Sequence, residues 1–263
     1  MRSKDDAIQF STEAGKIAAL LRDAKHAIAL TGAGISTDSG IPDFRSLKTG
    51  LWKQKDAEHL TEPGAFDKAM EYFWKFGYRI GKKILKAKPN PGHQILARWE
   101  ALGLVKAIIT QNVDELHQRA GSKNVIEIHG TAFEGKCLFC HGSYSMKQMM
   151  RLYEESKKTY PCCIVCSAPV RPQVVLFGEE LPREAMARAG EEIKECDVAL
   201  LLGSSSVVYP ANYLPVLVKE NGGKVVIVNQ METELDKIAS VVVHGSISRV
   251  LKQVDLLLKE KRG

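Results

Sequence analysis

The sequence predicts an α/β fold in which a doubly wound, Rossmann-like parallel sheet carries two smaller modules. Apolar runs of strand length alternate with longer amphipathic segments along most of the chain, which is typical of a parallel sheet covered on both faces. Gly32 and Gly34 directly follow the first apolar run, as at the strand-to-helix turn of dinucleotide-binding folds. Five cysteines crowd between Cys137 and Cys166, which indicates a compact metal-binding insertion.

Apolar periodicity predicts the elements in order. Ile17, Leu20 and Leu21 recur at helical spacing and predict a helix over 12–24, which leads into a strand at 27–30. An aromatic-rich segment predicts a helix over 61–86, which ends before the prolines of 88–91. The chain continues with helix 92–102, strand 105–110, helix 114–120, strand 125–129, strand 174–177, helix 182–195, strand 198–203, helix 210–221, strand 225–229, a short apolar run at 241–243 and a C-terminal helix.

These elements predict one domain with three parts. Right-handed crossovers between parallel strands favour the doubly wound arrangement. The large lobe is expected over residues 1–45, 88–133 and 171–263. A helical module is expected over 46–87, and a cysteine-rich module over 134–170.

Composition excludes several classes of protein. Hydrophobic residues make up 44% of the chain and charged residues 26%, as in ordinary globular proteins. The sequence has neither a signal-like apolar core near Met1 nor an apolar run of the roughly 20 residues that span a bilayer, so we expect a cytoplasmic protein without a membrane segment. The net charge of +6 is spread along the chain and does not indicate a nucleic-acid site. Oligomeric state is left open, with a monomer as the expectation.

The cysteine cluster predicts one structural zinc ion. Two C-x-x-C pairs supply four thiolates, which close a tetrahedral site without an open coordination position. Cys162 allows an alternative pair with Cys166, but the 163/166 pair repeats the spacing of the first. Cys162 and Cys196 are then expected to be ordinary buried thiols. The predicted zinc ligands are Cys137, Cys140, Cys163 and Cys166.

Polar residues follow several predicted strands. The carboxyl ends of parallel strands meet at one edge of a sheet, where ligands bind. His129 is placed there like a general base, whereas the other histidines, among them His93 and His117, have no comparable context. Asp114 has the alternative of capping the next helix. The segments concerned are Thr110-Gln111-Asn112-Val113-Asp114, Glu127-Ile128-His129-Gly130, Gly203-Ser204-Ser205-Ser206 and Asn229-Gln230.

The glycine turn is an incomplete dinucleotide fingerprint. Thr37 stands where the third glycine of G-x-G-x-x-G would be, and Asn229 stands where a dehydrogenase often has an acidic residue. A hydride-transferring dehydrogenase is therefore disfavoured. The loop Asp43-Phe44-Arg45 adds a carboxylate, a ring and a guanidinium beside the same turn.

Taken together, these motifs resemble the sirtuin family, most closely bacterial or archaeal protein lysine deacetylases. The match runs from about Ala24 to Leu251. It is carried by Gly32-Ala33-Gly34-Ile35-Ser36, Gly40-Ile41-Pro42-Asp43-Phe44-Arg45, Thr110-Gln111-Asn112-Val113-Asp114, His129-Gly130, the two C-x-x-C pairs, Arg171-Pro172, Phe177-Gly178-Glu179, Gly203-Ser204-Ser205 and Val228-Asn229.

The resemblance implies an enzyme that consumes NAD and removes acyl groups from protein lysines, yielding nicotinamide, O-acyl-ADP-ribose and free lysine. His129 would be the general base and Asn112 its catalytic companion, while the zinc ion stays out of the reaction. The implied NAD contacts are Gly32, Ala33, Gly34, Ile35, Ser36, Thr37, Asp43, Phe44, Arg45, Gln111, Asn112, Val113, Asp114, His129, Gly203, Ser204, Ser205, Asn229, Gln230 and Ser246. The implied peptide contacts, in a β-addition mode, are Val175, Phe177, Gly178, Glu179, Val207 and Val208.

The sequence departs from the family at two places. Relatives that remove succinyl or malonyl groups carry a Tyr-x-x-Arg pair in the helical module, whereas Tyr78 and Arg79 are adjacent here and cannot share a helix face. We therefore expect acetyl or other uncharged acyl groups. Ser246 stands where relatives often have Asp. Protein ADP-ribosylation at the same NAD site, or a non-catalytic NAD- and zinc-binding scaffold, are the alternatives.

Overall fold

The structure is a computed structural model that describes residues 4–45, 50–51, 64–156 and 159–260, with the side chains of 4–11 and 65 left out of the description. The predicted helical module 46–87 lies partly outside these residues, as do residues 61–63 of its predicted helix. Among the described residues, no helix has the length and apolar character needed to cross a membrane.

A six-stranded parallel sheet forms the large lobe, in the order β3-β2-β1-β7-β8-β9. Leaving aside the three strands of the small sheet, this is the strand order of dinucleotide-binding folds. The order of the strands across the sheet reverses between β1 and β7, which we call the reversal point. The predicted doubly wound α/β fold is confirmed. Its strands are β1 (Ala27–Thr31), β2 (Ala107–Thr110), β3 (Val125–Glu127), β7 (Val198–Leu202), β8 (Lys224–Asn229) and β9 (Val241–His244).

Helices cover both faces of this sheet, because the strands are apolar on both sides. One face packs on Leu21, Trp99 and Leu251 of three helices. The other face packs on Ile193 and Val218 of two helices. The first set is α1 (Lys4–Asp23), α4 (Pro91–Ala101) and α9 (Ile247–Glu260), and the second is α7 (Arg183–Glu195) and α8 (Leu214–Glu220), which follows a 3-10 turn, Ala211–Tyr213.

A second core joins the helices and the small sheet of the two inserted modules. Phe73, Trp74, Met149 and Val170 are buried in it together. The small sheet is antiparallel, in the order β5-β4-β6. The elements are α2 (Ala65–Lys68), α3 (Met70–Lys86), α6 (Met146–Glu155), β4 (Gly130–Cys137), β5 (Ser143–Ser145) and β6 (Val170–Val174), while the short helix α5 (Leu116–Ala120) follows β2.

The predicted strand 174–177 is wrong. The strand in this region is β6, and it pairs antiparallel with β4 in the small sheet. Val175 instead donates its N–H to the carbonyl of His129 at 2.9 Å, and residues 175–177 line a cleft. The run is apolar because it borders this cleft, and not because it lies inside the parallel sheet.

The turns after β1 and β7 touch through their backbones. Gly34 N–H donates to Gly203 O at 2.8 Å, and a Cβ added to Gly34 would come within 2.7 Å of Gly203 Cα. Gly203 has φ +67°, and a Cβ there would lie 2.5 Å from Ile35 N. The two glycines therefore set how closely the two loops approach each other at the reversal point.

Gly203→Ala is expected to destabilise the fold by about 2–4 kcal/mol, because it combines a left-handed backbone with a backbone clash. Urea denaturation measures this free energy of unfolding. The matched control is Gly190→Ala on α7, where an added Cβ meets nothing within 4 Å. The control should leave stability unchanged or raise it by up to about 1 kcal/mol; equal effects of the two substitutions would contradict the prediction.

Candidate active site

One cleft of about 390 Å³ opens beside the reversal point of the sheet. It collects loops from distant parts of the chain, because the carboxyl ends of β1, β2, β7 and β8 share one edge. The sequence-predicted residues that line it are Gly32, Ala33, Gly34, Ser36, Thr37, Asp43, Phe44, Arg45, Gln111, Asn112, Val113, Asp114, His129, Val175, Phe177, Gly178, Glu179, Gly203, Ser204, Ser205, Val208, Asn229, Gln230 and Ser246.

Two predicted site residues are absent from the lining. Ile35 is only 2% exposed and packs in the core beneath the sheet, so its side chain supports the loop from below. Val207 is 55% exposed and does not contribute to the wall of the cleft. Its neighbour Val208 does line the cleft.

His129 is held in one tautomer. Its Nδ1 lies 3.1 Å from the carbonyl oxygen of Gln111. A carbonyl only accepts hydrogen bonds, so Nδ1 carries the proton and Nε2 is left with a free lone pair. Burial lowers the pKa of His129 below its ordinary value of 6.5, against the raising effect of this hydrogen bond. The imidazole is therefore neutral at pH 7, and its Nε2 can accept a proton.

Asn112 is fixed by three hydrogen bonds. Its backbone N–H donates to Thr110 Oγ1 at 3.0 Å. Its Nδ2 donates to Gly32 O at 3.2 Å and to Ser36 Oγ at 3.2 Å. The amide therefore bridges the loops that follow β1 and β2, and it is only 8% exposed.

Asp114 accepts a hydrogen bond at the start of α5 and also lies in the wall of the cleft. One oxygen accepts the N–H of Leu116 at 3.0 Å, at the start of α5. The other accepts the hydroxyl of Ser36 at 2.6 Å. The residue also lines the cleft. Burial raises the pKa of Asp114, although both hydrogen bonds favour the ionised form.

A buried pair of histidines lies beneath these residues, and sequence reasoning missed it. The rings of His93 and His117 are 4.8 Å apart. His117 Nε2 lies 3.0 Å from Thr31 Oγ1, and His93 Nε2 lies 3.5 Å from Ser36 Oγ. Burial lowers the pKa of His93 to about 4 and that of His117 well below 6.5. Both rings are therefore neutral, and together they pack beneath Ser36.

The capping box at the start of α4 was a sequence signal that could have pointed to His93. Asn90 accepts the N–H of Gly92 at 2.8 Å, and its own N–H donates to His93 Nδ1 at 3.3 Å. Asn90 Nδ2 also donates to Ile35 O at 2.7 Å. The Pro-Asn-Pro sequence at 89–91 therefore ties α4 to the loop after β1.

Side-chain amides and hydroxyls continue the wall past β7 and β8. Gln111 Nε2 donates to Ser204 Oγ at 3.2 Å. Asn229 Nδ2 donates to Met231 O at 2.9 Å. Ser205 and Ser246 also line this end of the cleft.

The loop after β1 brings charge and an aromatic ring to the cleft. Arg45 N–H donates to Asp43 Oδ1 at 3.0 Å, and Phe44 is 37% exposed. Burial lowers the pKa of Arg45 below its ordinary value, but the guanidinium stays charged at neutral pH. Arg45 is the one lysine or arginine among the described residues that line the cleft.

The predicted peptide contacts lie on two open segments. Residues 175–179 and 207–208 contain no strand, and Gly178 has φ +83°. Glu179 is held by an ion pair with Arg171 and by the N–H of Leu176 at 2.9 Å. Both segments therefore place irregular backbone beside the cleft.

The four predicted zinc ligands converge. The Sγ atoms of Cys137, Cys140, Cys163 and Cys166 all lie within 4.8 Å of one another. Backbone N–H groups of Phe139 and Val165 donate to the Cys137 and Cys163 sulfurs, each at 3.4 Å.

Such a cluster of four sulfurs, with N–H donors to the thiolates, fits a closed zinc site. Cys162 lies outside the group, with its Sγ 3.9 Å from Tyr160 O. The 163/166 register is therefore the one the fold adopts. Cys196 is buried as expected, whereas the expectation of a buried Cys162 is wrong, because this residue is only half-buried.

Comparison with known proteins agrees with the fold. The Sir2 family profile matches residues 32–210. An NAD-dependent protein deacylase of Thermococcus kodakarensis is 46% identical over 241 residues, which are 91% of this chain and 93% of the relative. An NAD-dependent protein deacetylase of Caldivirga maquilingensis is 45% identical over 248 residues, or 94% of this chain and 93% of the relative.

Solved structures agree. A Sir2 variant with a deacetylated p53 peptide and 3'-O-acetyl ADP ribose has a TM-score of 0.88 at 39% identity, covering 92% of this chain and 97% of that one. Sir2Tm bound to a propionylated peptide has a TM-score of 0.83 at 38% identity, covering 94% and 98%. The fold and cleft are those of the NAD-dependent deacylase class. The chain belongs to the Sir2, or sirtuin, family.

Cys163→Ser is expected to abolish tight zinc binding and to destabilise the small sheet, because one thiolate ligand is lost. Metal content per protein chain and the thermal unfolding midpoint measure this. Cys162→Ser is the matched control and should retain about one zinc ion per chain. Loss of zinc on the second substitution with retention on the first would contradict the assigned register.

Proposed function

We propose that the protein removes acetyl and other uncharged acyl groups from protein lysines, with NAD as a consumed co-substrate. The observation that carries this proposal is the neutral imidazole of His129, with its free Nε2 in the same cleft as Asn112 and the loop after β1. Acyl-lysine and NAD together with water would yield free lysine, nicotinamide and the O-acyl ester of ADP-ribose.

The residues of the cleft fit NAD by their chemistry. Arg45 is a cation for the pyrophosphate, and the glycine turn at 32–34 gives close access to backbone N–H groups. Ser205, Asn229 and Ser246 offer hydroxyls and an amide for the adenosine half. Phe44, Asn112 and Asp114 stand near the nicotinamide end. When bound, NAD supplies an electrophilic ribose carbon whose leaving group is nicotinamide.

His129 would act as the general base. Its Nε2 can take a proton from a ribose hydroxyl and leave an oxygen able to attack the acyl carbon. The carbonyl of Gln111 then stabilises the imidazolium through the Nδ1–H bond. Asn112 and Asp114 would orient the polar groups of nicotinamide, since both are locked by hydrogen bonds before any ligand arrives.

The peptide would lie between segments 175–179 and 207–208. Both line or border the cleft and lie outside the strands of the two sheets. An extended peptide can pair with such segments through its backbone, which gives affinity with little demand on sequence. The substrates would therefore be varied acyl-lysine proteins.

The preference for uncharged acyl groups rests on Tyr78 and Arg79. Tyr78 donates its hydroxyl to Glu154, while Arg79 is exposed and stacks over Phe76 at 5.5 Å. The two side chains therefore do not form a paired site for an acyl carboxylate.

An alternative activity, protein ADP-ribosylation, would use the same NAD contacts. The reaction products distinguish it from deacylation.

We also propose a cytoplasmic location. All six cysteines are free, and four of them converge as metal ligands, which suits a reducing compartment.

Incubation with an acetyl-lysine peptide and NAD should release nicotinamide and shift the peptide mass by loss of acetyl. His129→Ala should reduce the rate about 10²–10⁴-fold, because the general base is removed. His26→Ala is the control, since His26 bonds Glu192 at the opposite edge of the sheet, and its rate should be unchanged. Gain of ADP-ribose by the peptide, or full activity of His129→Ala with its fold intact by circular dichroism, would contradict the proposal.

The acid limb of the kcat/KM profile should have an apparent pKa below 6.5. Activity requires neutral His129, whose pKa is lowered by burial, so activity is present above this pKa and is lost as pH falls through it. Glu127 is the competing group, because burial raises its pKa to about 7. Glu127→Gln should leave the acid limb in place; a limb near pH 7 that this substitution removes would contradict the role given to His129.

A further inference from the structure

The outer side of α3 and the residues just after it hold the excess positive charge of the chain. Residues 72–88 contain six lysines and arginines and no aspartate or glutamate. Of the 37 basic side chains of the chain, 31 lie elsewhere and equal the 31 acidic side chains in number. The expectation that the charge is spread along the chain is therefore wrong. The six cationic side chains are all exposed, namely Lys75, Arg79, Lys82, Lys83, Lys86 and Lys88.

The helix arranges four of these cations in a single row, which we call the basic row. Its members recur at intervals of four, three and four residues, so they lie within an arc of about 60° around the helix axis and span about 17 Å. The residues of α3 that line the cleft are centred on the opposite side of the helix. The row therefore faces away from the proposed reaction centre. It consists of Lys75, Arg79, Lys82 and Lys86.

Helix stability does not account for this arrangement. Like charges three or four residues apart repel and weaken a helix, and the six cations form five such pairs. Glu71, four residues before Lys75, is the one acidic residue of α3. Glu154 of α6 accepts the hydroxyl of Tyr78, and Lys82 Nζ lies 4.1 Å from the centre of the same ring. A bound polyanion would relieve the repulsion that remains among the cations.

The carbonyl end of α3 adds no negative pole to the row. The last carbonyls of a helix carry a partial negative charge. Arg119 donates from Nη1 to Ile84 O at 3.4 Å and from Nη2 to Ala87 O at 2.6 Å. The guanidinium offsets this pole, so the potential stays positive to the end of the helix.

We propose that the basic row binds the phosphate backbone of double-stranded nucleic acid, without reading the base sequence. A duplex carries one negative charge per about 1.7 Å of its axis and so presents about ten charges over the length of the row. A second copy of the chain would bring a like-charged surface and is disfavoured. A lipid bilayer is disfavoured because the apolar side of α3 is buried in the second core and cannot insert into lipid.

The test is fluorescence anisotropy of a labelled DNA duplex of about 25 base pairs, titrated with the full chain between about 50 and 200 mM salt. The logarithm of the binding constant should fall against that of the salt concentration with a slope of about −3 to −5, because four or five phosphates are neutralised. Duplexes of unrelated sequence should bind equally. This readout needs neither NAD nor an acyl peptide, so its outcome is independent of the proposed function.

Two results of this titration would overturn the inference. One is the absence of binding at about 50 mM salt with up to about 100 μM protein. The other is tighter binding, at equal charge concentration, to poly-glutamate or to vesicles of phosphatidylcholine and phosphatidylglycerol, which would indicate an acidic protein or a membrane as the partner.

Replacing the four residues of the basic row together by glutamine should weaken duplex binding at least about tenfold and bring the salt slope closer to zero by about 3 to 4. A charge-preserving variant with lysine and arginine exchanged at the same four positions should bind within about threefold of the unmodified chain. The matched control has the same net charge as the glutamine variant and should also bind within about threefold. It replaces four exposed lysines of other elements by glutamine, namely Lys194, Lys219, Lys224 and Lys252.

Circular dichroism should show the same helix content in all three variants, since glutamine, lysine and arginine are similar helix formers. Equal weakening of duplex binding in the glutamine variant and in the matched control would show that the net charge, and not the row, governs binding. That result, or loss of binding in the charge-preserving variant, would overturn the inference.

Discussion

The contact between two turns at the reversal point of the sheet is the constraint on which the site depends. Gly34 and Gly203 meet backbone to backbone, which no residue with a side chain permits at this distance. The contact brings the loops after β1 and β7 together, and the loop after β2 joins them through Asn112 and Gln111. Polar groups such as those of Gln111, Asn112 and Ser204 are thus attached to strand ends whose positions are set by the sheet. This is the preorganisation that catalysis by positioned donors and acceptors requires.

A buried polar layer turns this framework into a defined chemical environment. Ser36 lies between Asn112, Asp114 and His93, and burial keeps the histidines beneath it neutral. The same burial lowers the pKa of His129, while the Gln111 carbonyl selects its tautomer. Burial and the hydrogen bond to the Gln111 carbonyl therefore leave the imidazole of His129 neutral at pH 7, without a carboxylate partner on the ring.

Much of this could be predicted from the sequence, for physical reasons that differ between elements. The strands at β1, β7 and β8 are apolar on both faces, and the zinc register follows from repeated C-x-x-C spacing. The strand predicted at 174–177 was wrong because the apolar lining of a cleft has the same composition as a buried strand. The lining role expected of Ile35 did not hold because the helical turn after Gly34 directs its side chain into the core. The capping box at 90–93 could have pointed to His93, but the contacts of His93 with His117 and Ser36, and of His117 with Thr31, join residues far apart in the sequence, which only the tertiary structure reveals.

The small sheet and the helices α3 and α6 add a metal-binding cluster and an apolar wall to the polar edge of the parallel sheet. The four-cysteine cluster, which fits a zinc ion, lies at one end of the small sheet, and α3 and α6 contribute an apolar wall to the cleft. The proposed chemistry depends on the protonation state of the His129 imidazole. Long-range proton–nitrogen NMR of histidine-labelled protein measures this state directly at pH 7. We expect the His129 ring to carry its proton on Nδ1, with Nε2 unprotonated. A ring protonated on Nε2 alone, or a doubly protonated ring, would contradict the account.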